Sequence, residues 1–225
     1  MARHPVPADL LLRHAGGRLP EALDLLVATH LAMDTRARRV ADLLDDIGGQ
    51  VLAEEAPAAM SEDALQATLA RLDSVDATDV PEPPAPSDPN LRALPRPLWR
   101  YLAGDPQWRR SLARFDQIDL PMRATGYSAS LVRFPAGRAS LRHDHDGTEY
   151  TLVLAGRFAD SFGAFAPGDV AIRRRGESHR PVADTEAGCI CLAVTDAAIT
   201  LTDPLGRLLN PLIRARARRA NLTPQ

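Results

Sequence analysis

Three histidines and a glutamate in this chain are spaced so that they could converge on one ion. Residues 137–156 read Gly-Arg-Ala-Ser-Leu-Arg-His-Asp-His-Asp-Gly-Thr-Glu-Tyr-Thr-Leu-Val-Leu-Ala-Gly. On a strand, residues i and i+2 project to the same face, so His143 and His145 present both imidazoles to one point. Asp146 and Gly147 make a short turn, after which Glu149 can return a carboxylate to that point. A fourth candidate, His179, lies further along in Arg-Gly-Glu-Ser-His-Arg-Pro. Imidazoles with one carboxylate suit a divalent ion of the zinc, iron, manganese or nickel type. Beyond these groups no general base, activated nucleophile or cofactor-binding loop is visible.

Such a centre needs strands to hold it, and the sequence supplies them. Alternating or apolar segments separated by Gly and Pro fill residues 115–202: Ser128–Phe134, Tyr150–Leu154, Arg157–Ser161, Asp169–Ile172 and Cys189–Val194. Short strands at that spacing predict a sandwich or barrel. The spacing of the ligands resembles the cupin family. Its first motif is Gly, five residues, His-x-His, three or four residues, Glu, six residues, Gly, and Gly137, His143, His145, Glu149 and Gly156 fit at every position. Its second motif is matched by Gly168, Gly176 and His179, with Arg174 where Pro is usual and Ala183 where Asn is usual. The resemblance implies a jelly-roll β-barrel with one ion, zinc above the others, on His143, His145, Glu149 and His179. A barrel that kept its histidines without metal is the plain alternative.

The chain has 225 residues, enough for one large or two small domains. It has no run of about 18 apolar residues and no signal-peptide pattern, which predicts a cytoplasmic protein with no membrane partner. All 27 basic residues are arginine, and the formal net charge is -2. That balance excludes a generally basic nucleic-acid binder, and no direct DNA binding is expected. The charge is uneven. Residues 1–74 hold 7 Arg against 12 Asp and Glu, a balance of -5, while the remainder holds 20 against 17, a balance of +3. The acidic half suits a basic protein surface. Two cysteines, Cys189 and Cys191, exclude a disulfide framework. At i and i+2 of a strand their Cα atoms stand about 6.6 Å apart, near the limit for a bridge, so they read as core packing or as a redox reporter.

Residues 8–73 read as four helices. Ala8–Ala15 stops at Gly16-Gly17, and Pro20 opens a second helix whose Leu23, Leu26, Val27, His30 and Leu31 form one stripe. Thr35–Asp46 is a third, with Val40, Leu43, Leu44 and Ile47 on its apolar side, interrupted at Gly48-Gly49. Ser61 caps a fourth carrying Leu65, Leu69 and Leu72. Residues 75–91 hold five prolines before Asn90 among several acids, which predicts a stiff, solvated linker. The expected layout is a helical domain at 1–74, a linker at 75–91, a cupin at 92–213 and a basic, frayed tail at 214–225.

An N-terminal helical domain joined to a C-terminal cupin resembles the ChrR-type anti-sigma factors. The likeness covers nearly the whole chain and is carried by Ala28-Thr-His30-Leu, Ser61-Glu-Asp, Thr151-Leu-Val-Leu, Cys189-Ile-Cys-Leu-Ala and Arg207-Leu-Leu-Asn-Pro-Leu. It implies a regulator whose N-terminal helices sequester a group IV (extracytoplasmic-function) sigma factor and whose cupin responds to an oxidative signal of the singlet-oxygen type. In that family the helical domain carries zinc on two histidines and two cysteines. Here His4 and His30 match the histidines, but Asp34 and Ala37 occupy the cysteine positions. Asp34 can still ligate through oxygen, whereas Ala37 cannot, so the N-terminal zinc site reads as degraded and the helices are expected to pack without it. His14 matches no motif and reads as a surface residue. The competing readings are a metal-dependent cupin enzyme of dioxygenase or isomerase type and a barrel that has lost its chemistry.

Overall fold

The computed structural model describes residues 2–73, 83–111, 114–123, 126–204 and 206–219, with side chains omitted at 214 and 216–219. Four N-terminal helices come first: α1 (Ala8–Ala15), α2 (Glu21–Met33), α3 (Thr35–Glu54) and α4 (Ala64–Asp73). A short helix α5 (Pro89–Arg92) and a 3-10 turn at Arg96–Tyr101 lead, among the described residues, into eleven strands. These are β1 (Arg109–Arg110), β2 (Asp116–Leu120), β3 (Ser128–Phe134), β4 (His143–His145), β5 (Glu149–Gly156), β6 (Phe158–Asp160), β7 (Gly163–Phe165), β8 (Val170–Arg173), β9 (Val182–Ala183), β10 (Cys189–Thr195) and β11 (Ile199–Leu201). A last helix, α6 (Asn210–Arg219), follows.

All strand pairings are antiparallel. The larger sheet has the order β1-β2-β3-β10-β5-β8, and the smaller pieces are β11-β4 and β7-β6-β9. Alternation along the large sheet sorts its side chains onto two faces. Val132, Phe134, Val153, Ala171, Cys189 and Cys191 share the barrel interior with Phe158 and Phe165. Leu131, Leu152, Leu192 and Val194 face the other way, into a cluster with Leu10, Leu23, Leu26 and Val27 of the helices. The N-terminal helices therefore lie on the outer face of the cupin sheet, and the two halves share one core.

This packing explains α2. Ala22, Leu23, Leu25, Leu26, Val27, Thr29 and His30 are all buried, so the helix has cover on more than the one stripe expected. A helix apolar all round must be enclosed, here between the neighbouring helices and the sheet. Its start falls one residue later than expected, with Pro20 as cap. α3 begins at a capping carboxylate, since Asp34 accepts the N–H groups of Arg36 (2.8 Å) and Ala37 (3.0 Å).

Other boundaries also differ from the sequence expectation. α3 runs unbroken through Gly48-Gly49, because neither glycine takes a left-handed conformation and each costs the helix only about 1 kcal/mol. The tail expected to fray is helical from Asn210 to Arg219. Of the expected linker, residues 75–82 lie outside the described residues, and its end is already structured, with Leu91 buried. No helix among the described residues is long and apolar enough to cross a membrane.

Candidate metal centre

β4 carries His143 and His145 on one face, and both rings are buried. Backbone pairing fixes His179 beside them: His143 and His179 exchange both N–H···O=C bonds, at 3.0 and 2.9 Å. The turn between β4 and β5 returns Glu149. Thr148 N–H donates to Asp196 Oδ1 at 2.7 Å, and a Cβ at Gly147 would lie 2.0 Å from that same oxygen. A larger residue at 147 would have to displace the Asp196 carboxylate that holds this turn.

One nitrogen or oxygen from each of His143, His145, Glu149 and His179 falls within 4.8 Å of all the others. The Nε2 atoms of His143 and His179 are 3.0 Å apart, those of His145 and His179 are 3.2 Å apart, and Glu149 Oε2 is 3.5 Å from His145 Nε2. Ligands bonded at 2.0–2.1 Å around a tetrahedral ion sit about 3.3 Å from one another. Outer contacts set the tautomers. His143 Nδ1 donates to Leu141 O at 2.9 Å, and His179 Nδ1 faces Asp160 Oδ2 at 2.9 Å. Both rings then present Nε2 as bare lone pairs facing one another, which is repulsive without a cation. A proton bridges one such pair; a metal ion accepts all four groups at once.

The electrostatics agree. Burial pushes the His143 imidazolium down to about 4, which keeps the ring neutral and ligating. Burial alone would raise Glu149, but the positive charge that His145, His143 and His179 carry when protonated holds it below the usual carboxylate range. Asp160 is likewise opposed by burial, yet His179 and Arg173 bring it down to about 2. His145 Nδ1 is buried with no hydrogen-bond partner among the described residues. The four groups could hold a metal ion.

A cavity of about 510 Å³, its mouth included, reaches this cluster. His143, Glu149 and His179 form its polar end, and Phe115, Phe134 and Phe158 part of its apolar wall. Cys191 also lines it, and its Sγ lies 3.3 Å from that of Cys189. Both cysteines are buried, and burial with the neighbouring thiol raises Cys191 well above the ordinary thiol value.

The N-terminal candidates are placed differently. His30 is buried, with Nδ1 3.0 Å from Gly168 O, and burial lowers its pKa. Asp34 caps α3, Ala37 is buried beneath that cap, and the His4 ring packs on Phe165 at 5.0 Å between centroids. Among the described residues, only His143, His145, Glu149 and His179 form a group able to hold a metal. His14 is partly buried, 2.7 Å from Asp24 Oδ1, rather than free at the surface.

Residues 104–198 match the family described as ChrR Cupin-like domain. The anti-sigma-E factor ChrR of Cereibacter sphaeroides is 38% identical over 215 residues, spanning 94% of this chain and 98% of that protein. The chain belongs to the ChrR family of anti-sigma factors. A crystal structure of Rhodobacter sphaeroides SigE in complex with the anti-sigma ChrR matches it at a TM-score of 0.71 and 38% identity, covering 86% of this chain and 99% of that one.

For a ChrR-family chain, two features escaped the sequence reading. Asp160 and Arg173, which brace His179, sit in no motif; only their place on β6 and β8 brings them there. The second is the degree to which α3 is uncovered. Val40, Leu43, Ile47 and Val51 recur along one edge of the helix and are all exposed. The spacing had marked most of that edge as apolar, but not as solvent-facing.

Proposed function

We propose that this chain sequesters a group IV sigma factor through its N-terminal helices, and that the cupin metal centre governs release in response to an oxidative signal. The observation that carries the binding half is the exposed apolar edge of α3, Val40, Leu43, Ile47 and Val51; α4 separately exposes Leu65, Leu69 and Leu72. A row of exposed apolar side chains along one helix edge marks an interaction site. The charge of -5 over residues 1–74 suits the basic surface of a DNA-binding partner. Kinship supports the same reading, since the solved relative is captured in complex with SigE. A sigma factor acts in the cytoplasm, so this reading puts the chain there too.

In the sensing half, His143, His145, Glu149 and His179 hold one divalent ion, zinc in preference to iron, manganese or nickel. When bound, zinc supplies a redox-inert clamp between β4, β5 and the loop of His179. Around it the chain gathers oxidisable groups, three imidazoles and the Cys191 thiol, at one cavity. Damage to any of them would alter the centre.

The test uses the full chain and the sigma factor encoded nearest its gene. Co-expression should yield a complex that dissociates under an oxidant and whose association slows with added salt. Absence of a complex, together with oxygen consumption or dicarbonyl turnover by the metal-loaded cupin, would replace this reading with an enzymatic one.

A further inference from the structure

We infer that the metal centre is linked to the helical region through an N-terminal clasp: residues 2–4 and His30 tie the helices to the turn between β7 and β8, and Phe165, Arg173 and Asp160 connect that clasp to His179.

The clasp joins the buried side chains of Asp169, Asp34 and His30 to backbone groups of the N-terminal arm and of the cupin turn. Asp169 is buried, and its Oδ1 accepts the N–H groups of Arg3 (2.5 Å) and His4 (2.8 Å). Val170 N–H donates to His4 O at 2.7 Å, and Ala2 N–H donates to Asp34 Oδ2 at 2.9 Å. His30 Nδ1 donates to Gly168 O at 3.0 Å. If the arm left, Asp169 Oδ1 would lose both of its N–H donors and Asp34 Oδ2 the N–H of Ala2, which is the costly way to break a hydrogen bond.

From the clasp a short run of contacts reaches the metal ligand. The His4 ring lies 5.0 Å from that of Phe165, and the Arg173 guanidinium lies 5.3 Å over the same ring. Arg173 Nη2 donates to Asp160 Oδ2 at 2.7 Å, and that oxygen faces His179 Nδ1 at 2.9 Å. One strand spans both ends: the N–H of Val170, which opens β8, is part of the clasp, and the side chain of Arg173, which ends β8, braces the centre. When a metal draws on His179 Nε2, Asp160 is held against Nδ1 and Arg173 is held against Asp160, which keeps the Phe165 ring in place under His4. Without the metal that brace loosens, and so does the arm.

The consequence falls on α2. It is enclosed by the sheet as well as by helices, so a loosened clasp uncovers its sheet-facing side and weakens the platform that carries α3. Release of a sigma factor by this route rests on the function proposed above; the clasp itself does not.

Hydrogen exchange on the free, full-length protein tests it with no partner present. Stripping the metal from wild type should speed exchange in α2 about tenfold or more, the change expected when one charge-assisted buried bond is lost. His30→Leu should speed it whether or not metal is bound, with β3 and β10 still protected. Phe165→Leu, which cuts the run without altering a ligand or the Asp160–Arg173 pair, should keep one metal per chain while the effect of stripping on α2 falls to less than about half. α2 exchange indifferent to the metal in wild type, or transmitted in full by the retaining variant, overturns the proposal. A failed sigma-factor assay would leave all of these readouts in place.

Discussion

Asp160 Oδ2 faces His179 Nδ1 at 2.9 Å while accepting a hydrogen bond from Arg173 at 2.7 Å, so one buried oxygen fixes both the ring and the cation behind it. This makes the tautomer of His179 a property of its outer contacts. Loss of the charge at 160 should therefore weaken the metal site without removing a ligand. Asp160→Asn is expected to lower metal affinity about 10–100-fold, measured by competition with a chromophoric chelator. Affinity equal to wild type would mean that Asp160 does not orient the ring.

The ligands themselves predict a larger effect. Protein purified without added metal should carry one divalent ion per chain, and His143→Ala and His179→Ala should each lose most of it. Elemental analysis decides this directly. Metal content unchanged in both variants would remove the four-residue centre from consideration.

Most of the candidate metal centre was legible in the sequence because three of its four groups are local, and His179 was reached only through its own motif. His-x-His, the Gly147 turn and Glu149 occupy seven successive positions from His143, and periodicity alone carries them to one face. Five of the strands, β3, β5, β6, β8 and β10, and the four N-terminal helices were legible for the same reason, whereas the order of strands in the sheet was not. The docking of the two halves was not read, although a signal existed. Tyr150–Ala155 and Cys189–Val194 are nearly unbroken apolar runs, the pattern of strands covered on both faces. A half-exposed barrel wall would alternate. Read that way, these strands require a cover, and the helices provide it. His30 reads as a metal-free helix histidine as well as a former ligand, and it is buried in α2, but the contacts of His4 and His30, Phe165 and Gly168, lie more than 130 positions away, beyond any local pattern.

The apolar edge of α3 gives a sharp interface prediction. Leu43 and Ile47 are exposed in the free protein, so charging them should leave the fold intact. Leu43→Asp with Ile47→Asp should weaken binding of the sigma factor by about 100-fold or more, since each central anchor of an interface is commonly worth about 2 kcal/mol. Circular dichroism should match wild type. Undiminished binding with an unchanged spectrum would move the interface elsewhere on the molecule.

Asp34 predicts a pH dependence. The N–H of Ala2, then that of Ala37, lowers its pKa below the ordinary value, against a smaller opposing effect of burial. A carboxyl whose pKa is depressed on folding adds stability above its unfolded value, near 3.9, and loses it as pH falls toward the folded value. Asp34→Ala should cost about 1–2 kcal/mol at pH 7, as lost helix caps do, and Asp34→Asn less. Denaturant titrations at pH 7 and pH 3 should show the gap between wild type and Asp34→Asn shrinking in acid. A gap that widens there would contradict the assignment of the cap.

Cys189 and Cys191 point into the barrel side by side, and both are buried. Reactivity belongs to the thiolate, and burial together with the neighbouring thiol disfavours that form at Cys191. Native, metal-loaded protein should therefore resist iodoacetamide at pH 7.5, with both thiols modified at least about 100-fold faster once the chain is unfolded. A pair protected in this way fills space in the core, and a double Cys→Ser variant should then still dissociate from its partner under oxidant, leaving the metal centre as the sensor. Rapid native labelling of Cys191, which lines the cavity, combined with loss of oxidant-driven release in the double variant, would instead assign the sensing role to the thiols.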